Sequence, residues 1–505
     1  PGFIDIHAHS ELAYFTYPKA ESKVKQGVTT ELNCNCGISP TGPLKGLALD
    51  ELKSRVDLKA ARKLDFRIEW RTLEEYTKLL EKRGVSVNCA FQVGFGTVRV
   101  SVMGYDNREP TKDELDEMKA LVAQGMEEGA FGLSTGLKCA PQNFAKTDEI
   151  VELAKVAAEY GGIYSTHRRR RGYEWGRPPI RPLPEENFLI PLLDTPFEST
   201  REAIEIGKRA KIPVHIVHYK LPGKRLWGRV KEELRMISDA RKRGIDVTLD
   251  TSYPYNAKGA DLAWIPTWAM AEGTKKLIER LKGDQKFRER LKKEVKENME
   301  GFNAEYGWED SLILDVKLEK NKDLIGKSAA EAARIRGKDP CDLWFDLLIE
   351  GEDIWGVAFA MSEDDLREVI RYPYTMISSD ASVTEPVETA VSRHHPREYA
   401  VFPRFIRKYV IEENLLTMEE AVRRITSAPA SRLGLMDRGL IRPGFWADIV
   451  VFDPINLREK ATYKDPVQYP EGIEYVIVNG VITVEKGKHT GALAGKPLKH
   501  QVELP

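Results

Sequence analysis

His7 and His9 stand one residue apart, just past Phe3, Ile4 and Ile6, in the stretch PGFIDIHAHSEL. Side chains on a strand alternate faces, so residues two apart point the same way. Two imidazoles aimed at one spot can supply half the ligands of a metal ion, and neutral imidazole is the commonest protein ligand for one. Other reactive groups close further apolar runs: Cys36 in TTELNCNCGIS, His167 in GIYSTH, His218 in PVHIVH and Asp380 in YTMISSD. A lone buried cysteine is usually packing, and a lone strand histidine is usually structural. Six such groups at the ends of predicted strands point instead to a metal site. His215 lies three residues before His218. On one continuous strand the two face opposite sides, so His218 is expected in the site and His215 packed outside it.

The elements that must carry these residues alternate. Residues 111–128 begin with Thr111 and Glu114, a capping box, and set Leu115, Met118, Leu121 and Val122 at helical spacing. Gly129 ends that helix and AFGLSTG follows as strand and turn. Residues 147–160 repeat the scheme ahead of IYSTH. Ser199 and Glu202 read as another capping box, ahead of IPVHIVH, and residues 231–243 as the helix before IDVTLD. Strands alternating with helices imply a parallel sheet. Repeated in series, they predict an α/β fold of the TIM-like (β/α)₈ barrel type, with chemistry at the carboxyl ends of the strands. The barrel is expected over residues 1–436, interrupted at about 256–310 by a charged helical insertion that reads as a lid. From 437 to 505 the helices give way to strand segments with tight Gly and Asn-Gly turns, a small β-sandwich domain.

Composition excludes some classes of function. Among 505 residues, 77 are basic and 78 acidic, a formal charge of −1. Such a balance gives no general attraction to nucleic acid or to an anionic membrane. No apolar run reaches the roughly 18 residues a membrane-spanning helix needs. Five cysteines in so long a chain do not make a disulfide framework, which favours a cytoplasmic setting. Charged residues make up 31% of the chain, a composition that resembles that of heat-adapted proteins. The densest basic cluster, Arg168–Arg171, is expected to be a solvated loop. The expected partner is a small-molecule substrate, with no nucleic acid and no membrane; oligomerisation stays open.

The opening PGFIDIHAHS resembles the first-strand signature of the amidohydrolase superfamily. NCGIS, GLSTGL, AKTDEIVELAKVAAEYGGIYSTH, HYK, YPY, ISSD, HHPREYAVFPRF and ADIVVFDP narrow the resemblance to the D-aminoacylases, or N-acyl-D-amino-acid deacylases. The resemblance implies zinc-dependent hydrolysis of an N-acyl-D-amino acid to a carboxylate and a free D-amino acid. It implies one tight Zn²⁺ on Cys36, His167 and His218, with His7 and His9 forming or supporting a second, weaker metal position. It makes Asp380 the catalytic carboxylate, general base and then acid. It assigns Lys220, Tyr253 or Tyr255, and Arg397 to the substrate's carboxylate. The family also carries a segment before the PGFID strand that adds strands to the β domain. The encoded protein is therefore expected to be longer than this chain.

Four features depart from the family pattern: RRRRG after STH, the proline-rich stretch PPIRPLPEENFLIPLLDTP, Phe95 within GFGT, and Lys138-Cys139 within GLKCAP. They bear on acyl and side-chain preference. They also leave a second reading, hydrolysis of a related amide such as a dipeptide with a D-residue or a cyclic amide (a hydantoin or dihydropyrimidine).

Overall fold

A computed structural model of the chain describes residues 1–60, 66–169, 195–252, 256–261, 269, 274–300, 306–352, 354–384 and 395–501. Its first half alternates strand and helix. The strands are β1 (Phe3–Asp5), β2 (Val28–Asn33), β3 (Asn88–Phe91), β4 (Val93–Gly94), β5 (Gly132–Gly136), β6 (Ile163–His167), β7 (Val214–Ile216) and β8 (Val247–Thr251). Helices between them bury one apolar face each. Lys112–Glu127 starts at Thr111, whose hydroxyl accepts from Glu114 N while the Glu114 carboxylate accepts from Thr111 N. This is the reciprocal capping box its sequence predicts. The helix expected to begin at Ser199 runs instead from Thr195 to Ala210, so Ser199 is not its cap.

All pairings among these strands are parallel. β1, β2 and β3 form one sheet; β4, β5, β6, β7 and β8 form another that ends on β12 (Thr375–Ile377). Only Gln92 separates β3 from β4 in the chain, and at the far edge Ala8 pairs in parallel with Ala381. The fold is TIM-barrel-like, with eight strand positions in sequence order. Ile4, Ile6, Leu32, Ala90, Phe131, Ile163 and Met376 form one apolar cluster across these strands, whereas Phe3, Val28, Leu133, Tyr164, Val214, Ile216 and Leu249 join the larger core beneath the helices. That alternation makes one strand face a site floor and the other a helix seat.

The inserted unit between β8 and β12 is larger than the expected 256–310. Strands β9 (Lys258–Asp261), β10 (Ser311–Asp315) and β11 (Trp355–Ala358) form an antiparallel sheet in the order β10-β11-β9. The helices Gln285–Glu300 and Pro340–Ile349 share a core with it that runs from Ala269 to Ile354. The boundary at 310 fails because the helices beyond it turn their apolar faces to this core, not to the barrel.

The carboxyl-terminal region also differs from expectation. Among the described residues it is one antiparallel sheet, β13 (Ile449–Phe452), β14 (Ile473–Val478), β15 (Val481–Glu485) and β16 (Lys488–His489), and not a two-sheet sandwich. Val476, Val478 and Val484 join the barrel's core, while Val481 and Ile482 stay 46% and 45% exposed. Residues beyond the sheet return to the barrel, where Gly495 bridges Val85 and Pro497 bridges Cys89.

Candidate metal centre

The reactive residues of the sequence meet at the carboxyl ends of the parallel strands. Cys36 follows β2, His167 ends β6, His218 follows β7 and Asp380 follows β12. Cys36, His218 and Asp380 hold φ of 54°, 36° and 48°. This is left-handed backbone that residues other than glycine seldom adopt. Such conformations persist where the surroundings over-determine them. Here Gln142 Nε2 donates to Cys36 O (3.2 Å), His218 N to Asp250 Oδ1 (2.9 Å) and Asp380 N to His7 O (2.9 Å). Gly136 completes the fit, because a Cβ there would collide with Cys36 O.

Cys36 Sγ lies 3.7 Å from His7 Nε2, 3.7 Å from His167 Nδ1 and 3.6 Å from His218 Nε2. His167 Nδ1 and His218 Nε2 are 2.7 Å apart. A second group adjoins the first: His7 Nε2 and His9 Nε2 are 3.3 Å apart, and each is 3.4 Å from Asp380 Oδ1. His7 therefore stands between the two groups, within reach of both.

The donor set suits zinc. Thiolate sulfur at about 2.3 Å and imidazole nitrogen at about 2.0–2.1 Å, arranged tetrahedrally, stand roughly 3.3–3.6 Å from one another. The Cys36–imidazole separations match that spacing; the His167–His218 pair would have to open. Burial, then Lys220 and His167, hold His218 well below the usual histidine range, leaving it neutral with a lone pair to give. Burial pushes the Cys36 thiol up, so a cation must displace its proton. Burial would also raise the Asp380 carboxyl, but Arg397 and then His7 outweigh it and hold the group well below the carboxylate range.

Lys220 Nζ lies 3.1 Å from His218 Nδ1 and donates to His218 O at 3.1 Å. Arg397 Nη1 is 2.8 Å from Asp380 Oδ2. Both cations thus border the cluster. Tyr253 and Tyr255 lie outside the described residues, as do residues 178–194 of the proline-rich stretch, whose last two residues open the helix Thr195–Ala210. Phe95 is fully buried in the main core, at the start of the helix Phe95–Met103. Lys138 and Cys139 are exposed.

Two expectations need correction. His215 is not packed outside. It faces Thr248 and Asp250, with Nδ1 2.9 Å from Thr248 Oγ1 and Nε2 3.0 Å from Asp250 Oδ2. β7 stops at Ile216, and the left-handed turn at His218 breaks the alternation that separated the two histidines. Nor are Arg168 and Arg169 of the Arg168–Arg171 cluster solvated; Arg170 and Arg171 lie outside the described residues. Arg168 pairs with the buried Glu233 and Arg169 with Glu202, each arginine side chain only 11% exposed. Reading runs of charge as surface misses them because their partners lie far along the chain, on other elements.

Asp250 was not singled out from the sequence. It receives His218 N and Ser378 Oγ, hydrogen-bonds His215, and faces His7 Nδ1 at 3.6 Å. One carboxylate thus orients residues from several strands. The available signal was its place at the end of VTLDT, two residues beyond Thr248 on the same face.

Comparison with known proteins agrees with this geometry. Residues 297–484 match the Amidohydrolase family. The chain is 30% identical to the D-aminoacylase of Alcaligenes xylosoxydans xylosoxydans, over 99% of this chain and 86% of that protein. It is 31% identical to the N-acyl-D-aspartate deacylase of the same organism, over 97% and 83%. The crystal structure of N-acyl-D-glutamate deacylase from Bordetella bronchiseptica, complexed with zinc and a phosphonate mimic of the tetrahedral intermediate, superposes with a TM-score of 0.72 at 27% identity, covering 99% of this chain and 88% of that one. The chain belongs to the D-aminoacylase, or N-acyl-D-amino-acid deacylase, family of amidohydrolases.

Proposed function

We propose that the chain hydrolyses the amide bond of N-acyl-D-amino acids with zinc as cofactor, releasing a carboxylate and a free D-amino acid. The observation that carries the reading is the convergence of Cys36 Sγ on three imidazole nitrogens at 3.6–3.7 Å, beside Asp380. The named relatives hydrolyse N-acyl-D-amino acids by name, which favours this reading over a dipeptide or cyclic amide.

Cys36, His167 and His218 would hold the tight ion, and His7, His9 and Asp380 would border the weaker position. When bound, zinc polarises the amide carbonyl and brings a water's pKa to about 7. Asp380 would serve as the base, accepting a proton from the attacking water as its oxygen adds to the carbonyl carbon. It then delivers the proton to the amide nitrogen as the C–N bond breaks, since amines leave poorly unprotonated. Its Oδ1 is the oxygen suited to this, because Oδ2 is engaged by Arg397. Arg397 carries five N–H donors in a planar fork, enough to serve Asp380 and the substrate's carboxylate together. Lys220, next to His218, adds a point charge, and Tyr253 or Tyr255 a hydroxyl.

On this reading the eight strand positions form a closed barrel, a reading supported by the parallel Ala8–Ala381 bridge, and the unit from β9 to β11 serves as its lid. The five free cysteines suit a cytoplasmic setting, the charged surface suits a heat-adapted source, and a small-molecule substrate is the expected partner. Paired kinetics on D- and L-enantiomers of several N-acetyl amino acids test the function. Turnover of the D series is expected, and preference for L-enantiomers or for a hydantoin would overturn it.

A further inference from the structure

We propose that Lys23 is a positioning residue for Asp380, because its buried ammonium grips both residues that flank the catalytic carboxylate. The inference rests on the function proposed above. Lys23 sits in the single helical turn Glu21–Val24, and its side chain is 0% exposed. Lysine ordinarily keeps its charged end in water, and a buried charge persists only with partners.

The partners are unusual in where they lead. Lys23 Nζ lies 2.9 Å from Asp5 Oδ2 and 2.7 Å from Glu31 Oε1, two carboxylates that are themselves buried. It also donates to Ser379 Oγ at 2.7 Å and to Ala381 O at 3.0 Å. Ser379 and Ala381 are the immediate chain neighbours of Asp380. Asp5 reinforces the same turn, since its Oδ1 accepts from Ser379 N at 2.9 Å. Ser379 Oγ in turn accepts from Ala381 N at 3.2 Å. Asp380 occupies left-handed backbone, with φ 48°, so its carboxylate direction depends on what holds the turn from outside.

A purely structural role explains less. Ion pairing to Asp5 and Glu31 would neutralise the ammonium's charge without any contact to the turn after β12. Buried ion pairs are, moreover, often replaceable by apolar residues with no loss of stability. What the apolar alternative could not do is fix two points of one backbone turn. The polar partners of Lys23 are Asp5, Glu31, Ser379 and Ala381, none of them a residue assigned to either metal position.

The test compares the wild-type protein with Lys23→Met and Ser379→Ala. Ser379→Ala keeps the ion pairs and removes the two hydrogen bonds that Ser379 Oγ accepts, from Lys23 Nζ and from Ala381 N, so it remains informative where Lys23→Met fails to fold. Three quantities are read: kcat and KM on N-acetyl-D-amino acids, zinc retained per chain after dialysis, and affinity for a second equivalent of zinc. Misplacing a catalytic group by about an ångström can cost on the order of 10²-fold. Accordingly kcat should fall about 10²-fold in Lys23→Met and about tenfold in Ser379→Ala, with KM within about twofold and the tight zinc retained. Second-zinc affinity should fall in both, because Asp380 borders that position. An unchanged kcat and second-zinc affinity in Ser379→Ala would overturn the inference. So would loss of the tight zinc in parallel with kcat in whichever variants fold, which marks a general structural defect. If the wild-type chain turns over none of the substrates, the functional reading fails. Second-zinc affinity then decides the positioning role by itself, a fall supporting it and no change overturning it.

Discussion

Arg397 Nη1 holds Asp380 Oδ2 at 2.8 Å, while Asp380 Oδ1 faces His7 and His9 at 3.4 Å. The two oxygens of one carboxylate therefore have different tasks. Oδ2 is fixed by a charge-assisted hydrogen bond, and Oδ1 is left toward the imidazoles of His7 and His9, the side on which the proposed reaction moves a proton. Asp380→Asn keeps the shape and removes the proposed base. Its kcat is expected to fall by about 10²–10⁴, the usual contribution of a positioned acid–base group, with one tight zinc still present by metal analysis. Arg397→Lys should act chiefly on KM, since a point charge cannot serve two carboxylates as a planar fork does.

Metal occupancy separates the two ligand groups. Cys36 is the one sulfur in the cluster and touches three imidazoles, so Cys36→Ser should bring retained zinc well below one atom per chain and abolish turnover. His9→Asn lies in the outer group only. It should keep the tight zinc and weaken binding of a second equivalent, read by equilibrium dialysis. Chelation of the wild-type chain should remove activity and lower the thermal midpoint, because an ion that binds only the folded state stabilises it by mass action.

The legible part of this site is the part written at strand ends. His7, Cys36, His167, His218 and Asp380 each follow a β-rich run, and parallel strands bring such ends to one place. What escaped reading depends on contacts distant in the chain. Lys23 lies in ESKVKQG, where nothing distinguishes it from a surface lysine; only folding sets it against Asp5, Glu31 and Ser379. His215 was misplaced because strand alternation was carried past Ile216, where the strand ends. The insertion's far boundary was missed because helices that seat on a second core carry the same apolar stripe as helices that seat on a barrel.

Acid stability has one clear contributor at the base of β12. Arg424 is 2% exposed and donates to the carbonyls of Ile370 (2.7 Å) and Thr375 (3.3 Å), while its Nε donates to Glu420 Oε1 at 2.8 Å. Hydrogen bonding to Arg423, then Arg424, holds the Glu420 carboxyl down to about 2 against an ordinary 4.5, though its partial burial works the other way. A depressed folded-state pKa contributes stability above the unfolded pKa and loses it as pH falls through the folded one. The gap in thermal midpoint between wild type and Glu420→Gln should therefore be full above pH 4.5 and close as pH approaches about 2. A gap that stays constant across that range would show that the pairing does not titrate as described.

Arg168 ties the end of β6 to Lys220, the cation proposed above to meet the substrate's carboxylate. Its Nη1 pairs with Glu233, which is 0% exposed, and donates to Thr200 Oγ1; its Nη2 donates to Lys220 O at 3.0 Å; and its guanidinium lies over the Tyr219 ring at 4.7 Å. Removing it strands a buried carboxylate, so Arg168→Met should cost about 2–4 kcal/mol in chemical denaturation. That is somewhat below a full broken pair, because Thr200 and Tyr219 still donate to Glu233. The double variant Arg168→Met with Glu233→Gln removes the stranded charge and should recover part of that loss. Recovery of stability without recovery of KM is the expected signature, since neither change restores the bond that holds Lys220 O. If KM returns with stability, Arg168 serves only to neutralise Glu233 and has no part in presenting Lys220 to the substrate.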